Sequence, residues 1–255
     1  MSGKVSVIMP SYNTADYIAN SIKSVLNQTY TDFELIIVDD CSTDSTESVV
    51  KSFSDDRIKF LKNERNSGAA LSRNRALKMA SGKWIAFLDS DDLWEKTKLE
   101  EQLNFMESNG YDFSYTAYSE IDQNGNENGV YVKGPKHIGK TGMFNYCWPG
   151  CLTVMYNARK IGVIEVADIK KNNDYAMWLN VINKADCYFL NKNLAKYRRG
   201  RVGSVSTNGY FSLIKWHYRL FKDALGMNCF FSAFCTFRNL LFGVFKKFFY
   251  VKRGK

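Results

Sequence analysis

The chain reads Trp-Ile-Ala-Phe-Leu-Asp-Ser-Asp-Asp from residue 84 to residue 92, and this stretch decides the fold class. Its five apolar residues form a short continuous run that is typical of a buried β-strand. Three carboxylates, Asp89, Asp91 and Asp92, follow at the predicted end of that strand. Side by side they would raise one another's pKa values, and a hard divalent cation bound through oxygen atoms removes that conflict. The stretch therefore predicts either a metal site or an acidic turn that caps the next helix.

Short strands and amphipathic helices alternate over the first ~110 residues, as βαβ units do. The hydrophobic pattern predicts four strands, at residues 5–9, 33–38, 58–61 and 84–88. We therefore expect an α/β fold with a mostly parallel, Rossmann-like central sheet flanked by helices. Ligands of such sheets collect at the carboxyl ends of the strands, and both Asp39-Asp40 and the 89–92 cluster lie at predicted strand ends.

The alternation ends near Tyr111. The later pattern predicts a hairpin or loop over residues 122–142, a strand over 150–156, a helix over 175–182 and a mobile loop over 198–204. We expect a first domain of residues 1–205 and a tail of residues 206–255. The net charge of +9 is uneven, because from residue 192 onward 14 Lys and Arg face one acidic residue. Such asymmetry indicates an anionic partner, namely phosphate, nucleic acid or a membrane surface.

The tail contains a predicted amphipathic helix at residues 229–251. Its apolar stripe consists of Phe230, Phe234, Phe237, Leu241, Phe245 and Phe248. The opposite side is largely polar and comprises Ser232, Thr236, Asn239, Lys246 and Lys247. Arg238 interrupts the apolar run, which argues against a transmembrane helix and favours one lying in a membrane interface. A helix packed in the core or in an oligomer contact is the alternative. Charges interleaved with Phe at helical spacing disfavour nucleic-acid binding.

Three further candidate residues each allow two interpretations. Asp40 either accepts from a nucleotide or caps the next helix. Arg73, on a helix preceded by Gly68, suits a diphosphate or a surface ion pair. Asp174 has a catalytic interpretation and a helix-capping one. The six cysteines have no zinc-ligand spacing, and no secretory signal is evident, so we expect reduced, structural thiols in a cytoplasmic protein.

Together, five segments resemble family 2 glycosyltransferases with the GT-A fold. They are Pro-Ser-Tyr-Asn at 10–13, Val-Asp-Asp-Cys-Ser-Thr-Asp at 38–44, Asn-Ser-Gly at 66–68 with Arg-Asn at 73–74, Asp-Ser-Asp at 89–91 and Asn-Asp-Tyr at 173–175. The family pattern has Gly where this chain has Cys41, so we expect a slightly different backbone there. The matching segments lie in the family's order between residue 4 and about residue 205.

The resemblance implies a role for each matched position. Pro10, Tyr12 and Asp40 frame the uracil and ribose of a UDP-sugar, and Arg73 and Ser90 lie in the same donor site. Asp91 is the main ligand of a Mn²⁺ or Mg²⁺ ion that bridges the diphosphate, with Asp89 sharing the metal or holding the ribose. Asp174 is the general base.

Residues 150–155 and 197–206 are similar to bacterial enzymes that build O-antigen and teichuronic-acid polysaccharides. This resemblance implies inverting, metal-dependent transfer of glucose, galactose or an N-acetyl form to a polyprenyl-diphosphate-linked saccharide. Residues 1–205 would form the catalytic domain, and residues 229–251 would bind the inner face of the cytoplasmic membrane. Alternatives are a catalytically silent nucleotide-binding membrane adaptor and a sugar-nucleotide pyrophosphorylase. A homo-oligomer stays open.

Overall fold

The structure is a computed structural model that describes residues 3–200 and 210–254, without the side chains of residues 210 and 211. Its strands are β1 (Val5–Ser11), β2 (Phe33–Asp39), β3 (Ile58–Lys62), β4 (Trp84–Phe87), β5 (Leu93–Trp94), β6 (Phe113–Ile121), β7 (Glu127–Val132), β8 (His137–Ile138), β9 (Met155–Asn157), β10 (Cys187–Arg198) and β11 (Val251–Arg253). Its helices are α1 (Ala15–Leu26), α2 (Thr46–Lys51), α3 (Ala69–Met79), α4 (Lys98–Asn109), α5 (Lys140–Asn145), α6 (Ala158–Ile161), α7 (Asn173–Val181), α8 (Tyr210–Arg219) and α9 (Cys229–Phe249).

One mixed sheet joins the strands of the described part. Its main path runs β11-β7-β6-β9-β4-β1-β2-β3, and β10 lies parallel to β6. The four predicted strands are confirmed as β1 to β4 and are parallel neighbours. At β9 the direction reverses, because β9 is antiparallel to both β4 and β6. The expected α/β class with helices flanking the sheet is therefore confirmed. The sheet is parallel from β4 to β3, and beyond β4 only the β6–β10 pair of the described strands is parallel.

The sheet separates two hydrophobic cores, because successive side chains of a strand point to opposite faces. Ile8 of β1 lies in the core on the face that α3 and α7 cover. Its neighbour Val7 lies in the other core, with apolar residues of α1 and α4. Every residue of β1 and β2 is buried, as expected for central strands of a parallel sheet covered on both faces.

The first strand extends beyond the predicted residues 5–9 and includes Pro10. β1 continues to Ser11, and Pro10 pairs with Val38 of β2. The backbone of Pro10 points to the side of β4, where the pairing ends at Ile8 and Phe87. The missing N–H of Pro10 therefore costs no ladder hydrogen bond.

The second half of the chain differs more from the prediction. The sequence prediction does not include α4, β6 or β10, and β10 contains an exposed stretch at residues 191–193 with shifts in register. The strand expected over residues 150–156 is a 3₁₀ turn at Cys151–Thr153 followed by the short β9. Arg198, expected in a mobile loop, is the last residue of β10. Residues 201–204 of that loop lie outside the described residues.

α9 confirms the helix predicted in the tail, but its polar side faces the protein. Ser232, Thr236 and Asn239 are buried, whereas Phe230 and Phe248 are 76% and 79% exposed. Thr236 donates to the carbonyl of Ser232 at 2.7 Å and Asn239 to that of Phe144 at 3.0 Å, so these inward donors have partners. By length and composition alone, α9 is the one helix of the described part that would suffice to cross a membrane. An exposed apolar surface of this size is typical of an interaction site.

The turn after β2 contains a left-handed residue that is not glycine. Cys41 has φ 64°, a left-handed conformation that Gly adopts freely and other residues rarely adopt. The backbone at Cys41 therefore retains a conformation suited to Gly, and a β-carbon there is strained.

We predict that Cys41→Gly raises the free energy of unfolding by about 0.5–1 kcal/mol. Relief of a left-handed β-carbon gains about 1–2 kcal/mol, and the added freedom of Gly in the unfolded chain removes about 0.5–1 kcal/mol of it. Urea denaturation measures the difference. Cys41→Ala is the control, since it removes the thiol but keeps the strained β-carbon, and an equal gain in both variants would contradict the explanation.

Candidate active site

The ends of three neighbouring parallel strands define the candidate site. β1 ends at Ser11, β2 at Asp39 and β4 at Phe87, so Tyr12, Asp40 and the acidic turn at 89–92 follow at one edge of the sheet. Pro10 is buried inside β1, and Tyr12 is 42% exposed. This shared edge results from the parallel direction of the strands.

Asp40 holds the loop that precedes α3. One carboxylate oxygen accepts from Asn63 Nδ2 at 2.7 Å and from the N–H of Ser67 at 2.9 Å. The other accepts from the N–H of Gly68 at 2.7 Å. A carboxylate has about four acceptor positions, and three are used here to fix the loop. Asp40 therefore shapes the rim of the site, and its contact with a nucleotide stays a prediction.

The acidic turn is tight and mostly buried. The N–H of Asp92 donates to the carbonyl of Asp89 at 3.0 Å, and the carbonyl of Ser90 accepts from Ser21 Oγ at 2.9 Å. Ser90 and Asp92 are buried, whereas Asp89 and Asp91 are half-buried. Burial raises the pKa of Asp92 well above its ordinary value, and the negative charges of Asp91 and Asp89 raise it further.

Arg198 fixes this turn from β10, and the sequence had not indicated it. Its N–H donates to Asp92 Oδ1 at 2.8 Å, and its Nε donates to the carbonyl of Asp91 at 2.7 Å. Another guanidinium nitrogen donates to the carbonyls of Asp122 and Gln123, both at 3.0 Å. These contacts link residues more than 70 positions apart in the chain, so only the fold reveals them.

Arg73 joins the acidic turn to the start of α7. Its guanidinium is buried and donates to Asp89 Oδ1 at 2.5 Å and to Asn173 Oδ1 at 3.0 Å. Burial favours loss of the proton, but the charge of Asp89 and other acidic groups raises the pKa of Arg73 overall. Arg73 therefore remains a cation and pairs with a carboxylate of the site.

Asp174 lies in the first turn of α7, next to Asn173, and is half-buried. Burial raises the pKa of its carboxyl group, and the nearby charge of Arg73 partly opposes this rise. Cys151 lies among these charges, since Arg73, Asp89 and Asp174 all influence the pKa of its thiol, which burial raises. The fold thus brings Arg73, Asp89 and Asp174 together.

The acidic turn fits a metal that a substrate helps to bind. Among residues 3–200 and 210–254, no cluster of three or more His, Cys, Asp or Glu side chains could hold a metal by itself. Asp89 and Asp91 offer hard oxygen ligands at the half-buried side chains of the turn. Mg²⁺ usually binds one or two carboxylates together with substrate phosphates. These residues therefore fit a cation whose coordination a diphosphate completes.

The chain matches a known protein family. The model described as glycosyl transferase family 2 matches residues 6–158, which include the acidic edge of the sheet. The chain belongs to glycosyl transferase family 2. It is therefore a glycosyltransferase, as the five sequence segments predicted.

Relatives of this glycosyltransferase align over most of its length. A Bacillus subtilis protein, named as the teichuronic acid biosynthesis glycosyltransferase TuaG, is 42% identical over 80% of this chain and 82% of its own. An Escherichia coli protein, the UDP-Glc:α-D-GlcNAc-diphosphoundecaprenol β-1,3-glucosyltransferase WfaP, is 39% identical over 95% of this chain and 94% of its own. WfgD of Escherichia coli carries the same activity in its name and is 42% identical over 82% of both chains.

Solved structures show the same fold as this glycosyltransferase. The crystal structure of S. aureus TarS with UDP-GlcNAc has a TM-score of 0.71, with 23% identity over 90% of this chain and 69% of TarS. The mannosyltransferase PcManGT of Pyrobaculum calidifontis, with GDP-Man and Mn²⁺, has a TM-score of 0.66 and 16% identity, over 91% of this chain and 70% of its own. The GT-A fold is thereby confirmed.

We predict that Arg198→Lys lowers the free energy of unfolding by about 2–3 kcal/mol, since it removes hydrogen bonds from a buried charged group to the carbonyls of Asp91, Asp122 and Gln123. Urea denaturation gives the value. The matched control is Arg199→Lys, because Arg199 is exposed and pairs with Glu120 at 2.9 Å, so its change costs less than about 1 kcal/mol. Equal effects of the two substitutions would contradict a role for Arg198 in fixing the turn.

Proposed function

We propose that this glycosyltransferase is an inverting, metal-dependent enzyme that transfers a hexose from a UDP-sugar to a polyprenyl-diphosphate-linked saccharide. The Arg73 guanidinium carries the proposal, because it joins Asp89 at the end of β4 to Asn173, the neighbour of Asp174. A carboxylate suited to a diphosphate-bound metal and a carboxylate suited to proton transfer thus belong to one network. Such an arrangement suits a displacement in which UDP leaves while the acceptor hydroxyl loses its proton.

In the proposed donor site, Pro10, Tyr12 and Asp40 frame the uridine, and Ser90 and Arg73 line the same edge. Asp91, with Asp89, would hold Mn²⁺ or Mg²⁺ against the diphosphate. The metal, when bound, offsets the negative charge that develops on the leaving UDP. The buried Arg73 adds a fixed positive charge beside Asp89.

Asp174 is the proposed general base and accepts the proton of the attacking acceptor hydroxyl. A base works best when its pKa approaches the operating pH, and burial moves the pKa of Asp174 in that direction. A single in-line displacement inverts the anomeric carbon, so an α-linked UDP-sugar yields a β-linked product. Both Escherichia coli relatives are named as β-1,3-glucosyltransferases that use UDP-Glc, which supports this stereochemistry.

The direct test is UDP release over a panel of UDP-sugars, with GlcNAc or GalNAc diphosphate-linked to a lipid as acceptor, with and without Mn²⁺. We expect one donor to dominate, chelation to abolish turnover and NMR of the product to show a β-linkage. Full activity after chelation would refute the metal, and an α-linked product would refute inversion.

We predict that Asp174→Asn lowers kcat by about 10²–10⁴-fold, the usual worth of a positioned general base. Calorimetric titration with UDP should show unchanged donor binding. Asp168→Asn is the matched control, because Asp168 is an exposed acid in the segment before α7. Near-full turnover by Asp174→Asn would remove Asp174 as the base.

The raised pKa of Asp174 predicts how activity and stability depend on pH. The group must be deprotonated to act, so kcat/KM falls as the pH drops through the pKa of Asp174 in the folded enzyme. Because that pKa is raised, charging Asp174 disfavours the folded state, and its contribution to stability decreases as the pH rises above the ordinary aspartate value. Asp174→Asn should therefore unfold at a higher temperature than wild type at neutral pH.

We also propose that the exposed apolar stripe of α9 binds the inner face of the cytoplasmic membrane as a peripheral anchor. The stripe includes Phe230, Phe237 and Phe248, each more than 60% exposed. Its polar side is already used against the protein, so the apolar side is the one left for lipid. The excess of Lys and Arg after residue 192 matches an anionic membrane surface.

Flotation with liposomes tests this anchor. We expect the triple substitution of Phe230, Phe237 and Phe248 by Ser to weaken partitioning into anionic vesicles by at least about tenfold, because each buried Phe contributes about 1.5–3 kcal/mol. The control replaces three exposed apolar residues elsewhere, Leu71, Met79 and Val163, by Ser. Equal flotation of the two triple variants would refute the anchor.

A further inference from the structure

We propose that Lys246 binds the diphosphate of the lipid-linked acceptor, at the junction between the exposed stripe of α9 and the segment beside Asp174. The inference rests on the proposed function, which supplies a lipid-diphosphate acceptor. No sequence segment matched to the family includes Lys246, and the family model ends at residue 158.

Segment 143–148 connects α9 to the start of α7. On one side, the hydroxyl of Tyr175, the residue after Asp174, donates to the carbonyl of Met143 at 2.7 Å. On the other side, Asn239 of α9 donates to the carbonyl of Phe144 at 3.0 Å, and Arg238 donates to Asn145. A single short segment therefore separates the helix with the exposed stripe from the proposed base.

The side chain of Lys246 points from α9 to segment 143–148, whereas the side chains of its neighbours are exposed. Phe245 and Lys247 are exposed, whereas Lys246 is half-buried and donates from Nζ to the carbonyl of Trp148 at 3.0 Å. Its Nζ also lies 5.2 Å from the centre of the Tyr146 ring. The backbone of α9 approaches closely here, because a β-carbon on Gly243 would lie 3.1 Å from Tyr146 Cε2.

The charge of Lys246 has no counter-ion among the described residues. No carboxylate of residues 3–200 or 210–254 lies within ion-pair distance of Nζ, and an ammonium group carries three donors, of which the Trp148 carbonyl uses one. Burial lowers the pKa of Lys246 to about 8, which an anionic ligand would reverse. A partly desolvated cation with spare donors suits a diphosphate, which supplies several anionic oxygens.

The position of Lys246 relative to Asp174, the proposed base, also suits the acceptor diphosphate. The charges of Asp174 and Lys246 both act on the buried thiol of Cys147. Burial and Asp174 raise the pKa of that thiol, and Lys246 lowers it. A saccharide linked through its anomeric carbon to a diphosphate presents its hydroxyls one sugar ring away from the phosphates. With the diphosphate on Lys246, a hydroxyl would reach toward Asp174 and the lipid chain would continue along the exposed Phe stripe.

The test uses calorimetric titration of the full chain with farnesyl diphosphate, in the presence of saturating UDP and Mn²⁺ so that the donor site is filled. We expect Lys246→Met to raise Kd by about 10–100-fold, the worth of a charge-assisted hydrogen bond or two, and Lys246→Arg to retain most of the affinity. Lys247→Met is the matched control on the same helix and should stay within about threefold of wild type. Melting temperatures establish that the variants are folded.

Two outcomes overturn the inference. One is unchanged affinity in Lys246→Met, and the other is an equal loss in Lys247→Met, which would indicate a general effect of positive charge. In turnover assays, Lys246→Met should raise KM for the diphosphate acceptor and leave KM for the UDP-sugar unchanged. If wild type transfers only to acceptors without a diphosphate, the proposed acceptor class fails. If it transfers to the diphosphate acceptor with Lys246→Met unimpaired, only the role of Lys246 fails.

Discussion

The rest of the site depends on the hydrogen bonds that the buried guanidinium of Arg73 donates to Asp89 and Asn173. A cation in a dry interior is costly unless anions and hydrogen-bond acceptors surround it, and Asp89 and Asn173 supply them. The end of β4, the first turns of α3 and the start of α7 are therefore placed relative to one another by a single group. Loss of Asp89 would leave an uncompensated charge and loss of Asn173 an unpaired donor, so Arg73 sets the positions of Asp89 and of Asn173, the neighbour of Asp174, together.

The acidic turn is held from a second direction. Arg198 donates to the carbonyl of Asp91 and its backbone N–H donates to Asp92, which ties β10 to the end of β4. The guanidinium of Arg198 contacts the backbone carbonyls of Asp91, Asp122 and Gln123, so it fixes the path of the turn. Asp89 and Asp91 are half-buried and are the carboxylates proposed for the metal, whereas Asp92 is buried in the turn and accepts from the N–H of Arg198.

An amphipathic helix usually packs its apolar side against the protein, whereas α9 packs its polar side there. Thr236 and Ser232 bond to carbonyls of their own helix, and Asn239 bonds to Phe144, so the polar side enters the protein without unpaired donors. The apolar side then faces outward, as for a helix that meets lipid. The same packing brings Lys246 to Trp148 and thus relates the outer surface of the helix to the region of the proposed base.

The sequence alone determined the first half of the sheet, because short continuous apolar runs, two of them followed by acidic residues, are local signals. It also identified Asp89 and Asp174 as candidates, through short segments that resemble a family. Tertiary structure decided the rest. The partner of Arg73 on α7 lies 100 positions away, Arg198 reaches 107 positions back to Asp91, and the orientation of α9 depends on acceptors in segment 144–148. Local patterns encode which residues are apolar or charged, but the pairing of buried charges is settled only when distant segments share one low-dielectric interior.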